Sequence, residues 1–413
     1  MRTRQNSPVF TPGRIGNLEI ENRLIRSATF EHAATREGDV SDALIKIHTT
    51  LARGGVGLIV TGIAWIHPRT PAPPYMTRAD ADAFLPGLTR LAKSVHDARP
   101  GCRILLQLHH PGRQIYVPDA VDSAALAPGI TDYANRHPEV LSHPPETGPV
   151  PEPVAPSALP DALFHRTPRA LGPEEIDEII GAFAAGIGRA REAGFDGAQL
   201  HAAHGWLLSS FLSPHTNRRH DAYGGSVENR TRILSEILKR ARSQVGPDFP
   251  ILVKFNATDF LTDGTDLEQA VAIARILTKE GFDALEISGG MWECLTRSRE
   301  ELGWPPVFLP ESRTEIRTAE QEAYFLPAAA RIKVETGATV ISVGGYRSFS
   351  TIEAALTSGA TDFIALARPL VRQPNLPGRW LAGKGADWAT CISCNACLPV
   401  GKEVLACRAA KEI

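Results

Sequence analysis

The stretch REAGFDGAQLH, residues 191–201, has a shape that the chain repeats. A helix tail stops at Gly194, a residue able to take the left-handed conformation that ends a helix. Two turn residues follow. A short apolar strand, Gly197 to Leu200, then runs into His201. LARGGVGLIVTG (51–62), KEGFDALEISG (279–289), ETGATVISVGG (335–345) and TSGATDFIALAR (357–368) have the same form. ARPGCRILLQL (98–108) is a looser copy, and RSQVGPDFPILVKF (242–255) places proline near the turn. With Arg23–Thr29 this makes eight strand–helix units. Near-continuous apolar strands indicate a parallel sheet covered by helices on its outer side. The helices show the matching period. Ile176, Ile179, Ile180, Phe183 and Ile187 fall on one stripe, and Ser226 is a good N-cap for the helix that starts there.

Loop lengths choose among α/β architectures. Helix-to-strand turns are short, whereas the connections 109–172, 202–225 and 290–317 are long. Long loops gathered after the strand C-termini predict a single (β/α)8 TIM barrel with its site on that face. A doubly wound open sheet would need G-x-G-x-x-G after an early strand, and none is present. The barrel is expected over residues 1–380, with a proline-rich insertion at about 118–172 and a tail over 381–413. Residues 128–173 hold eleven of the 32 prolines and no apolar period. A loop of that length is expected to be a lid or pocket wall.

Composition narrows the function. The 413 residues are 43% hydrophobic and 22% charged, with a net charge of −2 and no basic stripe. Nucleic acid is therefore not the expected partner. No apolar run reaches membrane-spanning length, and MRTRQNSPVF has no signal core. The expectation is a cytoplasmic homo-oligomer acting on a small molecule.

Four chemical features stand out. His201 and His204 lie three residues apart beyond a buried strand, and two neutral imidazoles can each donate a hydrogen bond to one oxygen. Lys254 interrupts a buried apolar strand, which a surface lysine would not do. Cys391, Cys394, Cys397 and Cys407 form a C-x2-C-x2-C-x9-C tail, a spacing that fits an iron–sulfur cluster or zinc, with a reduced thiol cluster as the plain reading. Cys102 is expected in the core, and Cys294 as an inert loop thiol.

Together, NRLIRSAT (22–29), LLQLHHPGR (105–113), VAPSALP (154–160), HAAHG (201–205), FLSP (211–214) and YGGSVENR (223–230) resemble the Old Yellow Enzyme family of FMN-dependent ene-reductases. The resemblance runs from about Phe10 to Trp380. It implies FMN as cofactor, NAD(P)H as reductant and an activated alkene as substrate. The backbone of Ser27, Ala28 and Thr29 would lie along the flavin, and Gly62, at the end of the second strand, would leave room for the ring. Gln107 would meet the pyrimidine edge. Lys254 would stand beside N1 and O2, where the reduced flavin is negative. Gly344, Gly345, Ala367 and Arg368, after the last two strands, would hold the phosphate. His201 and His204 would bind the substrate carbonyl.

Two positions depart from the family. Trp206 stands where relatives place a proton-donating tyrosine, and indole is no acid at neutral pH. Phe30 replaces a polar residue near flavin O4. The proton would then come from water, Tyr75, Tyr116 or Tyr346; alternatively the enzyme runs oxidation or isomerisation, or Trp206 is a stacking wall. The tail also resembles the [4Fe–4S] segment of 2,4-dienoyl-CoA reductase and trimethylamine dehydrogenase. That implies a dienoyl-CoA reductase-like or amine dehydrogenase-like alternative, fed by an external electron donor. A flavin electron-transfer protein without its own turnover is the reading from another class.

Overall fold

In the computed structural model the described residues are 4–67, 72, 74–114, 152–163, 166–307, 309–384, 386–398 and 404–409. Tyr116 and most of the proline-rich insertion lie outside them. Eight parallel strands close into a barrel: β1 (Leu24–Arg26), β2 (Leu58–Trp65), β3 (Arg103–His109), β4 (Gly197–Ala202), β5 (Ile251–Asn256), β6 (Ala284–Ser288), β7 (Val340–Ser342) and β8 (Phe363–Leu366). Neighbours in sequence pair in space, and β8 returns to β1. Helices α1 (Asp42–Arg53), α2 (Leu85–Ala98), α3 (Pro173–Glu192), α4 (Val227–Val245), α5 (Leu267–Glu280), α6 (Leu326–Thr336) and α7 (Phe349–Thr357) follow successive strands. The short helices Arg368–Arg372 and Leu376–Leu381 follow β8.

The predicted signals produce these elements. Gly194 takes a φ of +83° just past α3, where a Cβ would be strained. Ser226 Oγ accepts the Asn229 amide at 3.2 Å and starts α4. The α3 stripe is buried. Two boundaries differ from expectation. β4 continues to Ala202, so His201 lies inside the strand, and a six-residue helix, Leu207–Leu212, precedes α4. The tertiary ladder to β5, which pairs Lys254 with His201, extends the strand past its apolar run.

Side chains alternate in and out along each strand, and this separates two cores. Outward residues pack on the helices in one large cluster. Inward residues Ile25, Leu58, Val60, Leu105, Leu252, Ala284, Ile341, Phe363 and Ala365 pack with Ile15 and Ile20. The last two come from an antiparallel hairpin, Gly13–Ile15 with Leu18–Ile20, that plugs the strands' N-terminal end. Further along the same inward rows the residues become polar: Ser27, Gln107, Lys254 and Glu286. Among the described residues no helix is long and apolar enough to cross a membrane.

Phe183 is fully buried between α3 and the barrel. Phe183→Ala should lower the unfolding free energy by about 3–5 kcal/mol, read as a shift of the urea midpoint.

Candidate active site

A hydrogen-bonded chain crosses the barrel just below its mouth. Glu286 has no exposed surface, and its carboxylate accepts from Ser27 Oγ at 2.6 Å and from Gln199 Nε2 at 2.8 Å. Lys254 Nζ lies 3.2 Å from the same carboxylate and 3.3 Å from Ser27 Oγ. Gln107 Nε2 donates to Gln199 Oε1 at 2.7 Å. An ionised carboxylate only accepts, so Gln199 must turn its amide N–H₂ toward Glu286 and its oxygen toward Gln107. Gln107 thereby keeps its own carbonyl oxygen without a partner among the described residues, and Lys254 keeps a third N–H.

Above this chain sit three imidazoles. His201 ends the inward row of β4, and His109 that of β3; their rings are 5.5 Å apart. His204 follows at 5.1 Å from His201, held in the turn at a φ of +63°. Its amide donates to Asn256 Oδ1 at 3.1 Å, and its Nε2 meets Ser288 Oγ at 2.8 Å. Burial pushes all three pKa values down, to about 3 for His109. The Lys254 charge lowers those of His201 and His204 further. These imidazoles are therefore neutral at pH 7. Nδ1 of both His109 and His201 is buried with no hydrogen-bond partner among the described residues. Such a group costs free energy until something pairs with it.

An aromatic wall closes one side. Trp206 presents its edge to His109 at 4.7 Å and to Trp292 at 6.1 Å. Trp292 and Trp304 belong to a buried apolar cluster with Leu163 and Leu295, against which Trp206 and Phe260 pack. Cys294 lies in that cluster, fully buried, and burial pushes its thiol pKa up. It is a core thiol, and so is Cys102.

The edges of the site are placed as follows. Ser27, Ala28, Thr29 and Phe30 leave β1 at the mouth. Arg26, buried, donates to the Ser27 carbonyl and to Thr29 Oγ1, which fixes that backbone. Gly62 lies within β2, at its irregular register between Val60 and Ile63, and not at the strand end. A Cβ there would come 1.9 Å from Glu31 Oε2 and 2.7 Å from the Thr29 carbonyl oxygen. Contact with the loop after β1 is thus what demands glycine there. Gly344 and Gly345 follow β7 with φ of +122° and +76°, and the Tyr324 ring packs on both. Arg368, after Ala367 and β8, donates to the Arg313 carbonyl at 2.8 Å and Asn395 Oδ1 at 2.7 Å.

The tail thiols share one neighbourhood. Burial pushes Cys397 up to about 11; Arg368 opposes this, while Cys391, Cys394 and Cys407 add to it. Among the described residues, however, no group of three or more histidine, cysteine or acidic side chains is arranged to hold a metal ion. The cysteines as placed do not fit the expected cluster. Of the candidate tyrosines, Tyr346 is buried with its hydroxyl 2.8 Å from Ser342 Oγ, and Tyr75 packs against His32 at 5.0 Å.

His109, Gln199, Asn256, Glu286 and Ser288 were missing from the sequence reading. Their signal was the period-two row: Leu105–Gln107–His109, Gly197–Gln199–His201, Leu252–Lys254–Asn256 and Ala284–Glu286–Ser288 each turn polar toward the same strand end.

A charged clamp joins the loops over the site. Arg113 lies 3.2 Å from Asp161 and 3.3 Å from Glu293. His215 reaches Glu293 at 3.2 Å and Asp263 at 2.7 Å. Glu293, then Asp263, raises the His215 pKa against the effect of burial. A raised folded-state pKa means that stabilisation is fully present below the ordinary histidine value and is lost as pH rises through the raised one. His215→Asn should therefore lower the melting temperature more at pH 5 than at pH 8.5, in paired melting curves.

Comparison with known proteins gives this geometry a family. The profile of the NADH:flavin oxidoreductase / NADH oxidase family matches residues 8–385. The NADH oxidase of Thermoanaerobacter brockii is 35% identical over 388 residues, 94% of this chain and 52% of that protein. The 4,4'-dithiodibutanoate disulfide reductase of Rhodococcus erythropolis is 30% identical over 421 residues, 97% of this chain and 94% of that protein. A solved 2-naphthoyl-CoA reductase with 2-naphthoyl-CoA matches at TM-score 0.78 and 27% identity, over 94% of this chain and 54% of that one. The chain spans about half the length of the first curated relatives it matches. The family profile spans nearly the whole barrel, with the buried lysine and the amide at its mouth: the chain belongs to the NADH:flavin oxidoreductase / NADH oxidase family, that of Old Yellow Enzyme.

Proposed function

We propose that this protein is an NAD(P)H-dependent, FMN-containing reductase that adds a hydride and a proton to the electron-poor C=C bond of a planar α,β-unsaturated carbonyl compound. The observation that carries the reading is the neutral His201–His204 pair above the Lys254–Gln107 chain. These residues fit a flavin. Gln107 offers a free carbonyl oxygen to an imide N–H, and Lys254 offers a buried cation to the edge that becomes negative on reduction. Ser27, Ala28, Thr29, Phe30 and Gly62 would flank the ring, and Gly344, Gly345, Ala367 and Arg368 its phosphate. When bound, FMN supplies the hydride, having been reduced by NAD(P)H.

The protein's own groups do the rest. Lys254 stabilises the reduced, anionic pyrimidine edge and so raises its potential. His201 and His204 donate hydrogen bonds to the substrate oxygen and stabilise the enolate-like charge as it develops. A Ser288 hydroxyl donated to His204 Nε2 leaves the ring proton on Nδ1, available to that oxygen. Trp206, Trp292, Trp304 and Phe260 exclude water and favour flat conjugated molecules; a relative's complex with 2-naphthoyl-CoA supports a planar acyl group. No step is assigned to the tail thiols.

Anaerobic mixing tests the proposal. The yellow protein should bleach with NADH or NADPH and regain its colour when an enone or cinnamate-type acceptor is added. Lys254→Met should slow bleaching by about 100-fold, the cost of losing one preorganised charge contact. Protein that stays colourless with excess FMN, or stays reduced with every acceptor, overturns the reading.

A further inference from the structure

A reductase of this kind must protonate the α-carbon, and Trp206 cannot do so. Among the described residues, the other groups near the histidines have partners of their own. His109, His201 and His204 are held neutral and have no acidic proton to give. Glu286 is committed to Ser27, Gln199 and Lys254, and Glu293 to Arg113 and His215. Asp259 accepts from Asn256 at 2.9 Å and from the Thr265 amide at 2.6 Å. The Tyr346 hydroxyl is buried on Ser342, and that of Tyr324 donates to the Glu311 carbonyl at 2.8 Å.

Among the described residues near the histidines, one carboxyl is left. Glu311 lies in the long connection between β6 and α6, over the strand ends. Its Oε2 is 4.0 Å from His204 Nδ1, the nitrogen that faces away from Ser288. The Tyr324 contact to its carbonyl fixes the backbone there, and Ser312 Oγ binds Asn395 Oδ1 at 3.1 Å. The side chain keeps 27% of its surface exposed, so water can reach it.

We propose that Glu311 is the proton donor of the reduction. This rests on the ene-reductase reading above. The hydride from the reduced flavin forms the new C–H bond at the β-carbon. The alkene π pair then takes the proton from the Glu311 carboxyl at the α-carbon, and the O–H bond breaks to leave a carboxylate. Solvent returns the proton before the next turnover. The net change is NAD(P)H, one proton and the alkene consumed, with NAD(P)⁺ and the saturated carbonyl formed.

The surroundings suit an acid in this place. Desolvation pushes the Glu311 pKa up; its own backbone N–H and the charges of Lys254 and Arg368 pull the other way. Cys294 and Tyr324 also face it, both protonated at neutral pH because burial raises them. The His204 ring is neutral, so no ion pair holds the carboxyl in its charged form.

Glu311→Gln and Glu311→Asp test this in the flavin-loaded protein. Enone-dependent reoxidation should fall by about 100-fold or more in Glu311→Gln, the usual worth of a general acid, with kcat falling and KM nearly held. Glu311→Asp should recover part of the loss, and adding Trp206→Tyr to Glu311→Gln should restore turnover by supplying a phenol. Infrared difference spectra of the unreacted protein at neutral pH should show a protonated carboxyl band that Glu311→Gln removes. Full reoxidation in Glu311→Gln, or no such band in the parent, overturns the proposal. A parent protein that stays reduced with every acceptor instead overturns the ene-reductase reading, and the infrared band still decides whether Glu311 holds a proton.

Discussion

Glu286 imposes the main constraint on the inside of this barrel. A carboxylate with no exposed surface needs both a counter-charge and hydrogen-bond donors. Lys254 on the adjacent strand β5 supplies the first, in direct register with Glu286. Ser27 from β1 and Gln199 from β4 supply the second, and Gln107 from β3 steadies Gln199. Five strands are thereby tied to one acid. Removing a single partner of such a buried pair typically costs about 3–5 kcal/mol. Because the acid can only accept, it also sets the direction of every amide in the chain, and so decides that the outermost amide presents an oxygen.

The layers above follow from that one. A buried lysine depresses the basicity of nearby imidazoles, and burial does the same more strongly. The histidines are thus neutral, with ring N–H groups to donate. The tryptophan cluster removes water from around them, and the clamp of Arg113, Asp161, Glu293 and His215 holds the loops that carry the cluster. The polar chemistry lies on rigid strands and the shape-selecting surface on loops, the usual division of labour in a barrel enzyme.

Much of the fold was legible in the sequence because helix-stopping glycines and apolar strands are local signals. The eight units, the α3 stripe and the Ser226 cap depend on neighbours a few residues away. The reach of β4 past its apolar run depends on a ladder with β5, some fifty positions later, and could not be read locally. Within the site, His201 and His204 were visible as polar residues beyond a strand and Lys254 as a charge inside one, whereas Gln107 was marked by the family resemblance alone. Glu286 and Gln199 were not, because a strand read as continuously apolar conceals which face each residue takes. Glu311 carries no local mark at all; only the folding of a long connection back over His204 brings it to the mouth. Gly62 was expected at the end of its strand but lies inside it, against Glu31 and the Thr29 carbonyl, contacts that no local signal announces.

The hairpin that seals the lower end has a kinetic corollary. With Ile15 and Ile20 packed against the inward strand residues, that end of the barrel is filled, and any reactant would have to use the upper opening. In the proposed reaction, a nucleotide and an acceptor would have to share that one opening. Turnover should then alternate between two visits, each product departing before the next partner enters, with parallel lines in a double-reciprocal plot as its signature.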